Sequence, residues 1–334
     1  MADADTPEGR KGVRPPFDPE LESLLQAQPY LSASLLPRHI GRLRQLQSAP
    51  EARVPDAALC RSGAVQFHEL EIPSSDEGVV LSLLVLRPTG HAGRRPGVCF
   101  FHGGGMVAGD NRTGIEVILD WVCELGMVVA SVGYRLAPEH PHPVPVEDCY
   151  AALKWVAGNR PALHIDDLPL TVAGASAGGG LAAGVALLSR DRSGPAIADQ
   201  LLMYPMLDDT ARFASSNELD GEGVWDARSN RTAWDALLGH SRDGAHVSAA
   251  PSREKRLSGL PAAYLDVGAV ETFRDEVIDY GARLAQAGVS TELHVWAGAF
   301  HGFDVLAADS AVARAARATR IDYLRRRLRG RVAP

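Results

Sequence analysis

From about Gln66 onward, eight apolar runs rich in β-forming residues recur along the chain. They are VQFHELEI, VVLSLLVL, GVCFF, MVVASV, LTVAG, QLLMY, AAYLDV and TELHVW. After the third run, helical patterns separate most of them, over residues 115–124, 146–157, 177–189, 275–287 and 311–328. Strands that alternate with helices pair in parallel, because each crossover helix returns the chain to the same sheet edge and covers one face. The spacing therefore predicts an α/β fold with a mostly parallel sheet and helices on both faces. The first two runs are joined only by PSSDEG, which predicts an antiparallel hairpin at one edge. A chain of 334 residues with 46% hydrophobic content can bury such a core.

Two regions fall outside this rhythm. Ahead of the sheet, residues 1–15 read as a flexible arm. Asp18-Pro19-Glu20 has the pattern of a helix N-cap followed by an N1 proline, and residues 35–47 carry apolar side chains at helical spacing. Residues 206–260 contain no strand pattern. A structureless loop of that length is rare in a compact domain, so an inserted lid is expected, with a helix at TAWDALLGH.

Charge and cysteine usage exclude several functions. Net charge is −7, with 22% charged residues and no Lys/Arg run, so a nucleic-acid surface is not expected. Cys60, Cys99, Cys123 and Cys149 form no CxxC pair. Cys99, in an apolar run, and Cys149, in a helical one, read as buried reduced thiols. The N-terminus has no signal-like apolar segment and no run approaches a membrane span, which gives a cytoplasmic expectation. The sequons at Asn111 and Asn230 then carry no consequence.

The chemistry concentrates in a few short stretches. Gly174-Ala175-Ser176-Ala177-Gly178 fits G-x-S-x-G, with a strand before it and a helix after it. A sharp turn there presents the Ser176 hydroxyl, and the glycines avoid collision with the neighbouring strand and helix. A phosphate loop is the bland alternative, but neither GxGxxG nor GxxxxGK[ST] is present. His102-Gly103-Gly104-Gly105 closes the GVCFF strand, leaving backbone N–H groups free to face a developing negative charge.

A serine hydroxyl needs a base. Of eleven histidines, His301 lies just past the last strand, with Gly302 leaving room beside it. His140 and His142 sit in a proline-rich turn, His68 alternates along a strand towards solvent, and His102 reads as a prop for its own glycine loop. The base needs a carboxylate to fix its tautomer. Glu271 lies in the loop after AAYLDV and is favoured over Asp275, which together with Glu276 is explained by the start of the next helix. Asp304 follows His301 too closely to orient it.

Rival motifs are weaker. Ser252-Arg253-Glu254-Lys255 fits S-x-x-K without SDN or KTG, and His68-Glu69 lacks the second histidine of HExxH.

HGGG at 102–105, YRLAPEHPHPVPVEDCYAALKW from Tyr134, GASAGGGLAA from Gly174, YPMLDD from Tyr204, ETFRDE from Glu271 and HGF from His301 together resemble the hormone-sensitive-lipase-like (bacterial family IV) branch of the α/β-hydrolases. The resemblance implies an eight-stranded sheet under a helical cap built from residues 16–60 and 206–260, with the core at 61–205 and 261–334. It implies carboxylic-ester hydrolysis without metal or organic cofactor, the partner being a small-molecule ester. By position, Ser176 is the nucleophile, His301 the base and Glu271 the acid. The N–H groups of Gly103, Gly104 and Ala177 form the oxyanion hole. Ala175 stands where many relatives have Asp, and Glu271 is a methylene longer than the Asp many of them carry. Short or medium acyl chains are expected, with Trp225 and Trp234 helping to shape the pocket. Cleavage of amides, lactones or carbamates would use the same machinery. Related enzymes often dimerise, which makes a homodimer the assembly to test. Plant gibberellin receptors resemble this fold and bind a ligand without cleaving it, but they lack the triad histidine that His301 supplies here.

Overall fold

A computed structural model describes residues 14–47, 49, 53–90, 93–239, 242 and 244–330. Most of the expected N-terminal arm lies outside the described residues, as does His240 at the end of TAWDALLGH.

All eight β-rich runs are strands of one sheet. β1 (Val65–Pro73) and β2 (Val80–Pro88) form the expected hairpin, with Val65 opposite Pro88. β2 runs antiparallel to β4 (Val128–Gly133). From there the pairing is parallel through β3 (Gly97–Phe101), β5 (Leu170–Ala175), β6 (Ile197–Met203), β7 (Ala262–Gly268) and β8 (Thr291–Trp296). The order across the sheet is β1-β2-β4-β3-β5-β6-β7-β8. After β3 the chain winds towards β4, then returns past β3 to β5. The crossovers on either side of the β3–β5 pair therefore diverge, and the carboxyl ends of two strands at such a reversal are where open α/β sheets bind their ligands. His102 follows β3 directly, and Ser176 follows β5. Every residue of β3 is buried, as a central parallel strand covered on both faces requires.

The helices are α1 (Pro19–Ala27), α2 (Ile40–Gln47), α3 (Asp56–Leu59), α4 (Ile115–Leu125), α5 (Val144–Gly158), α6 (Ala177–Asp191), α7 (Ala227–Leu238), α8 (Arg274–Gln286), α9 (Phe303–Leu306) and α10 (Ala311–Arg329). The five expected crossover helices agree with α4, α5, α6, α8 and α10 to within two residues at each end. The Asp18 carboxylate caps α1 through the Glu20 N–H at 2.9 Å. The helix expected at 35–47 starts as a 3-10 turn at Pro37–His39 and becomes α-helical only at Ile40; Pro37 supplies no N–H donor at that entry. α7 begins before TAWDALLGH because Asp226 accepts from the Ser229 N–H, although Ala227–Arg231 shows no apolar periodicity.

The helix α1 is seated against residues from the other end of the sequence. Leu21 and Leu25 pack with Ala299, Phe300 and Phe303, on either side of His301, and with Ala313 and Ala316 of α10. The Asp18 N–H donates to the Gly298 carbonyl at 3.0 Å. Residues 206–260 contain α7 and 3-10 turns, with no strand among the described residues. The Leu35 N–H donates to the Ser229 hydroxyl at 2.8 Å, joining the N-terminal segment to α7.

Candidate active site

Ser176 links β5 to α6 with φ 58° and ψ −122°. A serine keeps such a backbone only where its surroundings over-determine it. Its N–H donates to the Met203 carbonyl at 2.8 Å, and its own carbonyl accepts from Met206 at 3.0 Å and Gly180 at 3.1 Å. The flanking glycines are required by backbone contact. A Cβ on Gly174 would lie 2.1 Å from the Gly178 oxygen, and one on Gly178 would lie 1.9 Å from the Phe101 oxygen. β5, β3 and α6 thus meet with no room for a side chain.

His301 occupies the turn between β8 and α9. Its Nε2 is 2.9 Å from Ser176 Oγ, and its Nδ1 is 3.3 Å from Glu271 Oε1. The other Glu271 oxygen accepts from the Gly268 N–H at 3.2 Å. All three side chains are buried. Burial pushes the Glu271 carboxyl above its ordinary value, opposed by His301 and the Gly268 N–H. The imidazole is walled by aromatics. Tyr204 and Phe273 meet it edge to face, with centroids 4.9 and 5.1 Å away, and Trp225 lies at 6.2 Å.

The glycine loop after β3 lies against the same serine. A Cβ on Gly103 would sit 3.3 Å from the Ser176 Cβ and 3.2 Å from the Ala175 oxygen. Gly104 has φ 110°, and a Cβ there would come 2.2 Å from the Ala108 oxygen. His102 Nδ1 lies 2.7 Å from the Gly103 carbonyl. A carbonyl only accepts, so this nitrogen carries the proton. Its ring stacks on Tyr134 at 4.1 Å, and burial pulls its pKa down to about 4. His102 is therefore a neutral prop for the loop. Ala177 opens α6, where the first N–H groups of a helix have no intrahelical partner.

The remaining candidates lie elsewhere or act otherwise. Asp275 accepts from the Ser215 N–H at 2.9 Å and pairs with Arg274 at 2.7 Å. Glu276 is more than a helix-end charge: it is buried and its Oε1 accepts from the N–H groups of Leu207 and Asp208 at 2.7 and 3.2 Å. It fastens the loop that holds the Ser176 carbonyl. Asp304 turns to Arg320 and Tyr204 rather than to His301. Ser252 donates to Asp208 at 2.7 Å, while Lys255 is exposed. His68 is exposed on β1. His142 lies in the loop before α5, 6.2 Å from the ring of His246. Trp234 is buried in the core, whereas Trp225 stands over the glycine loop, its ring 2.7 Å from where a Gly105 Cβ would be. Sequence reasoning misses Tyr204, Phe273 and Arg320. The first two directly follow β6 and the residue pair at Glu271, and that adjacency is their only sequence signal. All four cysteines are free; Cys99 and Cys149 are buried and Cys123 is exposed. Among the described residues, no cluster of three His, Cys, Asp or Glu side chains could hold a metal, and no helix is long and apolar enough to cross a membrane.

A sheet whose winding reverses between β3 and β5, a strained serine just past β5 and a histidine in hydrogen-bond reach define an α/β-hydrolase. Residues 98–305 match the family described by the alpha/beta hydrolase fold. The chain belongs to that superfamily and to its hormone-sensitive-lipase-like branch, and it is a carboxylic ester hydrolase. The esterase LipI of Mycobacterium tuberculosis is 33% identical over 302 residues, covering 87% of this chain and 88% of LipI. The carboxylesterase NlhH of the same organism is 33% identical over 301 residues, covering 87% and 90%. The solved structure of a bacterial heroin esterase has a TM-score of 0.85 at 35% identity, covering 93% of this chain and 98% of that one.

Proposed function

We propose that the chain hydrolyses short- to medium-chain carboxylic esters through an acyl-enzyme formed on Ser176. As Ser176 Oγ attacks the ester carbonyl, His301 Nε2 takes its proton, and Glu271 stabilises the imidazolium through Nδ1–H. The tetrahedral oxyanion is received by the N–H groups of Gly103, Gly104 and Ala177. It collapses by expelling the alcohol, which leaves with the proton from His301. Water then attacks the acyl-enzyme, giving up a proton to His301, and the carboxylic acid departs as that proton returns to Ser176 Oγ. Residues 16–60 and 206–260 act as the cap over this centre, with Trp225 as one wall of the acyl or alcohol pocket, and the remaining described elements are the core.

The observation that carries this reading is the row Ser176–His301–Glu271, with contacts of 2.9 and 3.3 Å. A fluorophosphonate probe tests it: the wild type is expected to be labelled and Ser176→Ala is not. Turnover of p-nitrophenyl esters of graded length should peak at short or medium chains. A wild type that binds small molecules but neither reacts with the probe nor turns over esters would be a receptor on a hydrolase frame.

A further inference from the structure

Behind the His301 turn lies a buried ionic cluster with no part in the acyl-transfer steps. Arg320, on α10, is fully buried; its Nε donates to Asp266 Oδ2 at 2.7 Å and its Nη1 to Asp304 Oδ2. Trp296 Nε1 donates to the same Asp266 oxygen at 3.2 Å. The other oxygen of Asp304 accepts from the Tyr204 hydroxyl at 2.8 Å. Burial would raise the Asp304 carboxyl, but Arg320, the Tyr204 hydroxyl and Arg317 together hold the group below its ordinary value.

Tyr204 joins this cluster to the histidine. Its ring lies 4.9 Å from the His301 ring at 74°, and the Arg320 guanidinium lies 5.8 Å from its centroid. Its backbone is held at φ 36°, a costly conformation for an aromatic residue, by an N–H donated to the Asp266 carbonyl at 2.6 Å. Asp304 is tied to the histidine by the chain itself, three residues downstream on α9.

A buried ionic cluster is a weak argument for folding stability. Desolvating each ion costs several kcal/mol, and well-packed apolar side chains often serve as well or better. What the cluster does have is a hold on the histidine from two directions, through the Tyr204 ring and through the backbone of the turn. The Nδ1–Glu271 contact, at 3.3 Å, is a loose restraint by itself.

We propose that Asp304 and Tyr204, locked by Arg320, are positioning residues that keep the His301 imidazole aligned between Ser176 and Glu271. The inference rests on His301 being the general base. Small misplacements of a base cost large factors in rate without changing how tightly substrate binds.

Tyr204→Phe removes one hydroxyl and keeps the ring. With p-nitrophenyl acetate its kcat is expected to fall about tenfold, with KM within about twofold of wild type. Fluorophosphonate labelling should slow in parallel. Asp304→Asn should lose more kcat, again without a rise in KM. Circular-dichroism melting identifies folded variants, so that rates are compared well below each melting point. Three results overturn the proposal: Tyr204→Phe with wild-type kcat and labelling rate, a rise in KM at unchanged kcat, or a lower melting point as the only change. If the wild type itself resists the probe, the serine–histidine reading fails instead. The wild type and Ser176→Ala are run alongside to separate the two cases.

Discussion

Ser176 Oγ and His301 Nε2 are 2.9 Å apart although 125 residues separate them in the chain. Parallel strands close that gap. β5 and β8 run the same way in one sheet, so the residues following each emerge at the same edge. Glu271, after β7, arrives at that edge for the same reason.

Glu271→Gln is expected to lower kcat by about 10²–10⁴, because an amide no longer stabilises the imidazolium and favours the wrong tautomer. Asp275→Asn should change kcat only a few-fold, since that carboxylate serves Ser215 and Arg274. Steady-state hydrolysis of p-nitrophenyl butyrate by both variants decides between them. A larger loss in Asp275→Asn would transfer the acid role there.

The two kinds of glycine should fail differently. Gly178→Ala forces a Cβ to 1.9 Å from the Phe101 carbonyl, and the variant is expected to be insoluble or to melt far below wild type. Gly103→Ala puts a Cβ 3.2 Å from the Ala175 oxygen and 3.3 Å from the Ser176 Cβ, a crowding that a small shift of the glycine loop beside the nucleophile relieves. It should lose about 10²–10³ in kcat, the scale of one oxyanion donor, in protein that still folds. Melting curves and kcat, measured on the same preparations, separate the outcomes.

Trp225→Ala removes an indole that stands over Gly105 and beside His301. Optimal acyl length should move upward, with kcat/KM for the longest tolerated ester rising about 10-fold or more, the scale of a methylene's discrimination. An unchanged chain-length profile would remove Trp225 from the pocket wall. Trp234→Phe, at a buried core position, should leave the profile alone.

Acid should weaken the fold through His102. Its pKa is about 4 in the folded protein against 6.5 in the unfolded chain, so the unfolded state takes up the proton first. The stabilisation is complete above pH 6.5 and is lost as pH falls through about 4, with an overall size of about 3 kcal/mol. Urea midpoints at pH 7 and pH 4.5 should drop more for wild type than for His102→Gln. Equal drops would mean that other groups govern the acid limb.

Strand identity, the edge hairpin and the loop positions of Ser176, Glu271 and His301 are legible in the sequence because they depend on local pattern: period, turn residues and the residues just past each strand. The reversal that places β3 between β4 and β5 leaves no local trace, since it depends on which crossover turns which way. The aromatic wall around His301 is equally invisible. Phe273 reads as one more apolar residue at a helix start, and Tyr204 as the end of a strand. Trp225 and Trp234 look alike in sequence, yet one stands over the glycine loop and the other fills the core. Arg320 lies in an arginine-rich helix whose charges suggest solvent, and only packing distinguishes the one that is buried. Glu276 reads as a helix-end charge because its partners, Leu207 and Asp208, are brought to it by tertiary structure alone.

The seat of α1 on Phe300 and Phe303 sets an order of events during synthesis. The helix leaves the ribosome some 270 residues ahead of the surface it docks on, a separation of roughly half a minute at ordinary elongation rates. Until that surface emerges, the nascent polypeptide holds a serine with no imidazole beside it. Under the proposed serine–histidine mechanism, hydrolytic competence arrives late in translation, and a copy that stops short of this docking surface is expected to be inert.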